Sequence, residues 1–300
     1  MSPSSGLLLV DKDRGPTSHD VVAVVRRLLG EQRVGHAGTL DPMATGLLVL
    51  AVGPATRLLR FAQAGAKRYA GVVRLGVATD SLDADGAVTD ERPVPGITPE
   101  ELADAAAALR ATTTQIPPMV SALKVDGQRL HALARRGVEV ERAPRAIAVT
   151  GLAVAFGEDA HTLTFDVTCS AGTYVRVLMS DLAERLGTVG HLTSLRRLAS
   201  GTHQVEDAVT LARLAQRVAA GAAVLRPAAA FVGDLTAVTL SDDDVRRVRQ
   251  GQRVALDASV AGDEVAGCDA GGALVAVLAR RGDTFHPEVV LSSEPSATPR

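Results

Sequence analysis

The sequence predicts a mixed fold of helices and strands, of the α+β or α/β class, and three observations support this. The chain has 300 residues, which is enough for roughly two domains. Hydrophobic residues make up 46% of it, but aromatic residues only 2%, so its cores must consist mainly of Ala, Val and Leu. Patterns typical of helices and of strands alternate along the chain.

The first elements are a strand, a capped helix and a second strand. Residues 7–10 are apolar and predict a short strand. Thr17 and Asp20 have the spacing of a capping box, apolar residues follow at helical spacing, and Gly30 ends the predicted helix. Residues 47–52 form a continuous apolar run between two glycines, which is typical of a strand buried on both faces.

Further strands and helices are expected in the middle of the chain. The apolar patterns predict strands at residues 69–75, 147–156 and 162–168. Helices are predicted after the N-cap Thr98, at 174–186 and near 210–220. A break between Pro227 and Leu235 precedes short apolar runs separated by Gly and Asp turns, which predict a small β-rich domain. The tail from Ser292 is rich in Ser, Pro and Thr and is expected to be disordered.

The formal net charge is −2, but the charge is unevenly distributed. Residues 1–75 carry +5, residues 76–109 carry −7, residues 110–200 carry +3 and residues 201–300 carry −3. This balance excludes a uniformly basic protein that coats nucleic acid by charge alone. An anionic partner would contact surfaces built from the two positive segments, residues 1–75 and 110–200. Ordinary charged residues in contact with solvent explain the same counts.

Several classes of site lack their sequence signatures. The two cysteines, Cys169 and Cys268, are too few for a disulfide framework or a four-thiolate metal site. The seven histidines have no metalloprotease spacing, and the chain contains no Walker A loop, dinucleotide fingerprint or nucleophile elbow. No apolar run approaches the roughly 18 residues that span a bilayer. We therefore expect a soluble, cytoplasmic protein that uses neither a metal nor a nucleotide cofactor.

Two glycine-punctuated segments are candidates for chemistry. In residues 33–46, the short spacing of the glycines suggests a close approach of the backbone to a ligand, while Asp41 before Pro42 is also typical of a simple turn. Residues 169–176 lead from a strand into a helix and place Tyr174 and Arg176 in its first turn. Arg176 is either the partner of a buried carboxylate or a surface residue packed on Tyr174.

Residues 35–46, GHAGTLDPMATG, resemble the GHxGxLDPxATG signature of the TruB family, the tRNA pseudouridine(55) synthases. Similar motifs follow in the family's order, over roughly residues 7–200: LVDK with Gly15 and Thr17-Ser18, KRY at 67–69, QIPP to SALK at 115–124, GTYVR at 172–176, and HL to LRR at 191–197. Two features depart from the family pattern. Asp13 stands where the family usually has Pro, and the C-terminal part resembles only loosely the expected RNA-binding PUA-type domain.

The resemblance implies an α+β fold with a mixed-sheet catalytic domain at residues 1–230 and an RNA-gripping insertion near 118–146. A PUA-like domain is expected at 235–292, followed by a disordered tail at 293–300. The implied activity is isomerisation of uridine 55 in the T loop of tRNA, without cofactor or metal. The implied partner is the T-arm of tRNA, with no membrane, no obligatory protein partner and a monomeric chain.

The resemblance also implies roles for individual residues. Asp41 corresponds to the family's nucleophile, and Arg176 would pair with it and hold it charged and oriented. Tyr69 would stack on the flipped base and assist the late removal of a proton. The remaining expected substrate contacts are His36, which would help to hold the opened RNA loop, Tyr174, Leu195, Lys12 and Lys124.

Three other functions remain open from the sequence. An RNA-guided synthase of the same superfamily would share Asp41, Tyr69 and Arg176, but would act with protein partners and a guide RNA. A tRNA-folding helper would bind the same RNA without needing the chemistry. A glycoside hydrolase would need a second catalytic acid at a defined distance, and no motif supplies one.

Overall fold

A computed structural model describes residues 5–121, 123–125, 127–130, 133, 136–257 and 259–291 of the chain. Its largest element is a mixed sheet of nine strands. These are β1 (Gly6–Lys12), β2 (Val34–His36), β3 (Thr45–Val52), β4 (Lys67–Leu75), β11 (Val149–Phe156), β12 (Thr162–Cys169), β13 (Gly190–Ser200), β14 (His203–Gln204) and β15 (Val209–Thr210). The main path runs β11-β12-β4-β13-β3-β1-β15, with β14 beside β13 and β2 beside β3.

The sheet is mixed because two of its strand pairs, β1 with β15 and β13 with β3, are parallel, whereas the other pairs are antiparallel. The helices that accompany it in the described ranges are α1 (Ser18–Leu29), α2 (Leu59–Ala64), α3 (Pro99–Arg110), α4 (Val175–Arg185) and α5 (Leu211–Ala219). Short strand pairs lie outside the sheet: β5 (Val77–Thr79) with β6 (Val88–Glu91), β7 (Thr114–Gln115) with β10 (Arg145–Ala146), and β8 (Lys124–Val125) with β9 (Gln128–Arg129). The predicted α+β class with a mixed sheet is confirmed.

The local signals in the sequence produce the predicted helix ends. The hydroxyl of Thr17 accepts a hydrogen bond from the Asp20 backbone N–H at 3.1 Å, and the Asp20 carboxylate accepts one from the Thr17 N–H at 2.8 Å. Gly30 closes α1 in the left-handed conformation, with φ of 65°. Thr98 and Glu101 form the same reciprocal box at the start of α3. These confirmed caps satisfy backbone groups that a helix end leaves unpaired.

Strand β3 is buried on both faces, as its apolar run predicts. Leu48 and Leu50 belong to a core that includes residues of α1, α3 and α4. Leu47 and Val49 point to the opposite face, into a second core that includes the C-terminal sheet. This alternation follows from the two-residue period of a strand. Strand β13, in contrast, is not predicted from the sequence, although it lies in the centre of the sheet between β3 and β4.

The predicted small β-rich C-terminal domain is a four-stranded sheet with the helix α6 (Asp242–Arg249). Its strands are β16 (Thr236–Thr239), β17 (Glu264–Cys268), β18 (Leu274–Arg281) and β19 (Thr284–Val290). Arg57 and Arg60 of the N-terminal part contact it: Arg57 donates to the Val290 carbonyl at 2.7 Å, and Arg60 pairs with Glu264 at 2.8 Å. The domain limits at 230 and 235–292 stay predictions, and the tail at 293–300 lies outside the described residues.

Within the described residues, no helix is long and apolar enough to cross a membrane.

Candidate active site

The loop between β2 and β3 carries Asp41 and is fixed from several sides. The Ser18 hydroxyl, at the start of α1, donates to the Leu40 carbonyl at 3.0 Å and accepts from the Leu40 N–H at 2.8 Å. The Gly15 N–H donates to the Pro42 carbonyl at 2.8 Å. The segment that follows β1 therefore holds Asp41 in place from both of its neighbours in sequence.

Lys12 also holds this loop, from inside the protein. Its side chain is 0% exposed, and its ammonium donates to the carbonyls of Ala44 at 2.7 Å, Asp13 at 2.9 Å and Pro42 at 3.3 Å. Burial lowers the pKa of Lys12, and the nearby carboxylates of Asp13 and Asp41 oppose that effect. The structure thus places Lys12 behind the loop, and the substrate contact that the resemblance implies for it stays a prediction.

Arg176 lies between two carboxylates. It is the second residue of α4 and is only 3% exposed. Its Nε donates to Asp41 Oδ2 at 2.9 Å. Asp83, which is 7% exposed, lies 3.6 Å from the same Nε. The two terminal nitrogens of Arg176 donate to the carbonyls of Ser81 and Val120. Every arm of the guanidinium is engaged, so it presents one fixed face to Asp41.

Asp41 remains accessible although Arg176 is buried. Its side chain is 37% exposed and borders a cavity of about 250 Å³. The cavity is smaller than a typical site for drug-sized ligands, which is roughly 300–1,000 Å³, and therefore suits one small group. The cavity brings together the predicted residues Asp41, Tyr69, Tyr174, Arg176 and Leu195.

The two tyrosines of the chain both line this cavity. Tyr69 lies on β4, and burial raises the pKa of its phenol. Tyr174 is the N-cap residue of α4, and burial raises the pKa of its phenol as well, while a hydrogen bond with Ser121 opposes the rise. Both phenols are thus kept in the neutral form, in which an aromatic ring can stack on a base and its hydroxyl can donate a hydrogen bond.

Three further residues at the site had no role assigned from the sequence, although each lies within a quoted motif. Gln115 clamps Tyr174: its Oε1 accepts from the Tyr174 N–H at 2.8 Å, and its Nε2 donates to the Tyr174 carbonyl at 3.1 Å. Lys67 lines the cavity, and burial lowers its pKa to about 8. Arg197 lines the cavity and is 1% exposed. Their place in the quoted motifs KRY and LRR is the signal that could have identified Lys67 and Arg197.

Gly46 of the signature loop allows two strands inside the protein to approach each other closely. It has φ of 98°, and a Cβ atom there would lie 2.3 Å from the Arg197 carbonyl oxygen. Gly46 is paired with Arg197 where β3 and β13 run parallel. The close neighbour of this glycine is therefore the backbone of β13.

His36 lies outside the cavity lining, on β2. Its ring packs edge to face against His19, with the ring centroids 5.3 Å apart. His19 lines a neighbouring cavity of about 600 Å³, which shares Asp41 and Arg176 with the first one. Burial, followed by the charges of His19 and Arg197, lowers the pKa of His36 to about 4. His36 is therefore neutral at physiological pH.

The depressed pKa of His36 leads to a testable pH dependence. The unfolded chain binds a proton at His36 below its ordinary value of 6.5, whereas the folded protein binds it only near pH 4. The contribution to stability is thus complete above about pH 6.5 and is lost as the pH falls towards 4. We expect the unfolding free energy of His36→Gln to decline less than that of the wild type between these values, as measured by urea unfolding. Equal declines in both proteins would contradict the assignment.

Lys124 is the remaining predicted contact. Its backbone belongs to β8, but its side chain lies outside the described part of the structure.

Among the described residues, no group of three or more His, Cys, Asp or Glu side chains is placed to hold a metal ion. The site thus consists of a carboxylate oriented by an arginine, two neutral phenols and an apolar side chain around a small cavity. Such a set offers an oriented carboxylate, which can act as a nucleophile, beside aromatic rings that can stack on a planar ligand.

Comparison with family models matches two parts of the chain. Residues 26–175 match the N-terminal domain of the TruB family pseudouridylate synthases. Residues 176–230 match the C-terminal domain of tRNA pseudouridylate synthase B. Together the matched segments contain all the residues that line the 250 Å³ cavity.

Curated proteins and solved structures resemble the chain over most of its length. It is 40% identical over 294 residues to the tRNA pseudouridine synthase B of Streptococcus pneumoniae serotype 4, covering 96% of this chain and 100% of that protein. It is 50% identical over 216 residues to the tRNA pseudouridine synthase B of Rhodococcus jostii, covering 71% of each. Among solved structures, a chain in the crystal structure of a Cbf5-Nop10-Gar1 complex matches with a TM-score of 0.74 and 25% identity, covering 96% of this chain and 85% of that one.

Proposed function

The chain belongs to the TruB family of pseudouridylate synthases, and on that premise we propose that it isomerises uridine 55 in the T loop of tRNA to pseudouridine. It is an enzyme of the tRNA pseudouridine synthase class, and Asp41 is its proposed nucleophile. The observation that carries this proposal is the accessible Asp41 carboxylate, held at 2.9 Å by the buried Arg176 on the rim of a cavity of base size.

The proposed reaction follows from the residues around the cavity. The Asp41 carboxylate attacks C1′ of the ribose as the bond from C1′ to N1 breaks, and the base leaves with the electron pair of that bond. The freed uracil rotates inside the cavity, and its C5 forms a bond to C1′ while Asp41 leaves. Over the whole reaction N1 gains a proton and C5 loses one, so that no net oxidation or reduction occurs.

The cavity requires the base to leave its RNA stack. A uridine inside a folded loop cannot reach Asp41, so the nucleotide must flip out, at a cost of a few kcal/mol. Stacking on Tyr69 and apolar contact with Leu195 offset part of this cost inside the cavity. Arg176 does not need to move for this, because its hydrogen bonds to Ser81 and Val120 fix it without substrate.

The proposal extends to partners and location. We propose that the enzyme acts as a monomer in the cytoplasm on the T-arm of tRNA, without an obligatory protein partner. The second candidate, an RNA-guided synthase, has one observation in its favour, namely the structural similarity to a chain in the Cbf5-Nop10-Gar1 complex. The curated relatives of similar length are named tRNA pseudouridine synthase B, which favours the first candidate.

The decisive experiment measures release of tritium from tRNA transcripts labelled at C5 of uracil, with the purified chain as the only protein. We expect release of one tritium per tRNA, and mapping of the product is expected to place the pseudouridine at position 55. A transcript with cytidine at that position is the control and should release none. Release that requires added protein and guide RNA would support the second candidate, and release from other positions would contradict the first.

A further inference from the structure

Arg197 is a buried cation that pairs with no carboxylate of the described residues. It is 1% exposed, and within the described residues no carboxylate lies within the 4.0 Å salt-bridge distance of its guanidinium. Its Nε donates to the Leu47 carbonyl at 2.6 Å and its Nη2 to the Gly38 carbonyl at 3.1 Å. Arg176, by comparison, has Asp41 and Asp83 beside it. A buried charge without an opposite charge is costly, so a negative charge that forms nearby during a reaction would be strongly attracted to it.

Arg197 and Tyr69 are direct neighbours in the sheet. They are paired across β13 and β4, which places both side chains on the same face. Leu195, two residues before Arg197, lies on that face as well, and all three line the cavity that Asp41 borders. The positive end of Arg197 is therefore next to the phenol of Tyr69 at the place where the base would lie.

The charged groups around Tyr69 act in opposite directions on its phenol. Burial raises the pKa of Tyr69 most strongly, and the charge and hydrogen bonding of Arg197 lower it. Cys169 on β12 and Asp41 from the signature loop both raise it. Lys67 lies on the same face of β4, but its ammonium donates to the carbonyls of Gln63 and Gly65. Among these groups, Arg197 is thus the one that stabilises a negative charge on the Tyr69 phenol.

We propose that Arg197 is a positioning residue for the isomerisation, which orients the hydroxyl of Tyr69 and stabilises its phenolate while Tyr69 passes a proton between N1 and C5 of uracil. When the bond from C1′ to N1 breaks, N1 keeps the electron pair and takes the proton of the Tyr69 hydroxyl. A phenolate remains beside Arg197. After C5 has bonded to C1′, the C5–H bond breaks, its electron pair stays in the ring, and its proton goes to the phenolate. Tyr69 is thereby restored, and no proton or electron is left over.

The composition of the chain permits a direct test without any substrate. The chain has two tyrosines and no tryptophan, so Tyr174→Phe leaves Tyr69 as the only tyrosine. In that background, titration of phenolate absorbance reports the pKa of Tyr69 alone. We expect Arg197→Met to raise this pKa by about one pH unit or more and Arg197→Lys, which keeps the charge, to raise it less.

Arg196→Met is the matched control on the same strand. Arg196 is adjacent to Arg197 but pairs with Asp11 through two hydrogen bonds of 2.9 and 2.8 Å, on the other face of β13. This variant should leave the pKa of Tyr69 unchanged. An equal pKa in the parent and in a folded Arg197→Met protein would overturn the proposal.

A double-mutant cycle tests the role in turnover and separates it from a structural one. We expect Arg197→Met to lower the single-turnover rate by about 100-fold in the wild type, but by less than about threefold in a Tyr69→Phe background, because the effect acts through Tyr69. The tritium isotope effect at C5 should become smaller in Arg197→Met, since donation of the Tyr69 proton to N1, which forms the phenolate, becomes the slow step. A loss of equal size in both backgrounds would show a purely structural role and overturn the inference.

The turnover part of this inference rests on the proposed function, but the titration does not. If the chain failed to form pseudouridine while Arg197→Met still raised the pKa of Tyr69, the proposed function would be wrong and the electrostatic coupling would stand. If pseudouridine formed and the pKa did not respond, the role of Arg197 alone would be wrong.

Discussion

Asp41→Asn is expected to abolish turnover while tRNA binding survives. Asparagine keeps the size of the side chain and most of its hydrogen bonding, but it cannot act as an anionic nucleophile on C1′. The loop should keep its conformation, because Lys12, Gly15 and Ser18 fix it through backbone groups of other residues. We expect the single-turnover rate to fall by more than about 10⁴-fold, the scale on which loss of a nucleophile acts in other enzymes. Filter binding should change by less than about threefold, because RNA affinity comes mainly from phosphate and stacking contacts.

Asp85→Asn is the control for this experiment. Asp85 lines the neighbouring cavity and pairs with Arg14 at 3.1 Å, with both side chains about half exposed. The same chemical change there should leave the rate nearly unaltered. Turnover by Asp41→Asn at close to the wild-type rate would reject the nucleophile, whatever family the chain belongs to.

Arg176→Met is expected to damage both stability and turnover. The substitution leaves the buried Asp83 without its cation, and it leaves the carbonyls of Ser81 and Val120 without their donor. Removal of one partner from a buried ion pair typically costs about 3–5 kcal/mol of unfolding free energy, which urea unfolding can measure. Turnover should fall by at least about 100-fold, because Asp41 loses the group that orients it.

Two further variants distinguish the structural effect from the chemical one. Arg176→Lys keeps the charge but not the planar fork, so it should recover part of the stability and little of the rate. Asp83→Asn in the Arg176→Met background removes the unpaired carboxylate and should also recover stability, again without turnover. Arg185→Met, at an exposed position of the same helix, should change neither quantity. A parallel recovery of rate and stability would mean that Arg176 acts on folding alone.

The sequence was sufficient for the helices with strong end signals and for the strand with an unbroken apolar run. The capping boxes at Thr17 and Thr98 and the doubly buried β3 depend on interactions between residues close in sequence or on simple periodicity. The motif resemblance was sufficient to select Asp41, Tyr69, Tyr174, Arg176 and Leu195, which the fold brings to one cavity. Without the resemblance, the local sequence pattern did not decide whether Asp41 is a turn residue or a nucleophile.

The tertiary structure decided the roles of the buried charges. The family resemblance implies that Lys12 contacts the substrate. Its ammonium donates hydrogen bonds to the carbonyls of Ala44 and Pro42 inside the protein. Asp83 lies in the acidic segment 76–109, where the sequence suggests carboxylates exposed to solvent. It is nevertheless buried beside Arg176. Whether a charged side chain is solvated, paired or enclosed depends on groups that are distant in sequence, so local pattern cannot reveal it.

Strand β13 shows the same limit most clearly. Residues 190–200 mix polar and basic residues and do not read as a central strand, because a buried strand is expected to be apolar. The fold places them between β3 and β4, where Gly46 permits the close approach and Arg197 becomes buried beside Tyr69. The sequence by itself determined the capped helices, the apolar strands and the residues of the signature, since these depend on near neighbours. Only the tertiary structure decided which charges face the cavity, because pairing across the sheet joins residues that are more than 100 positions apart.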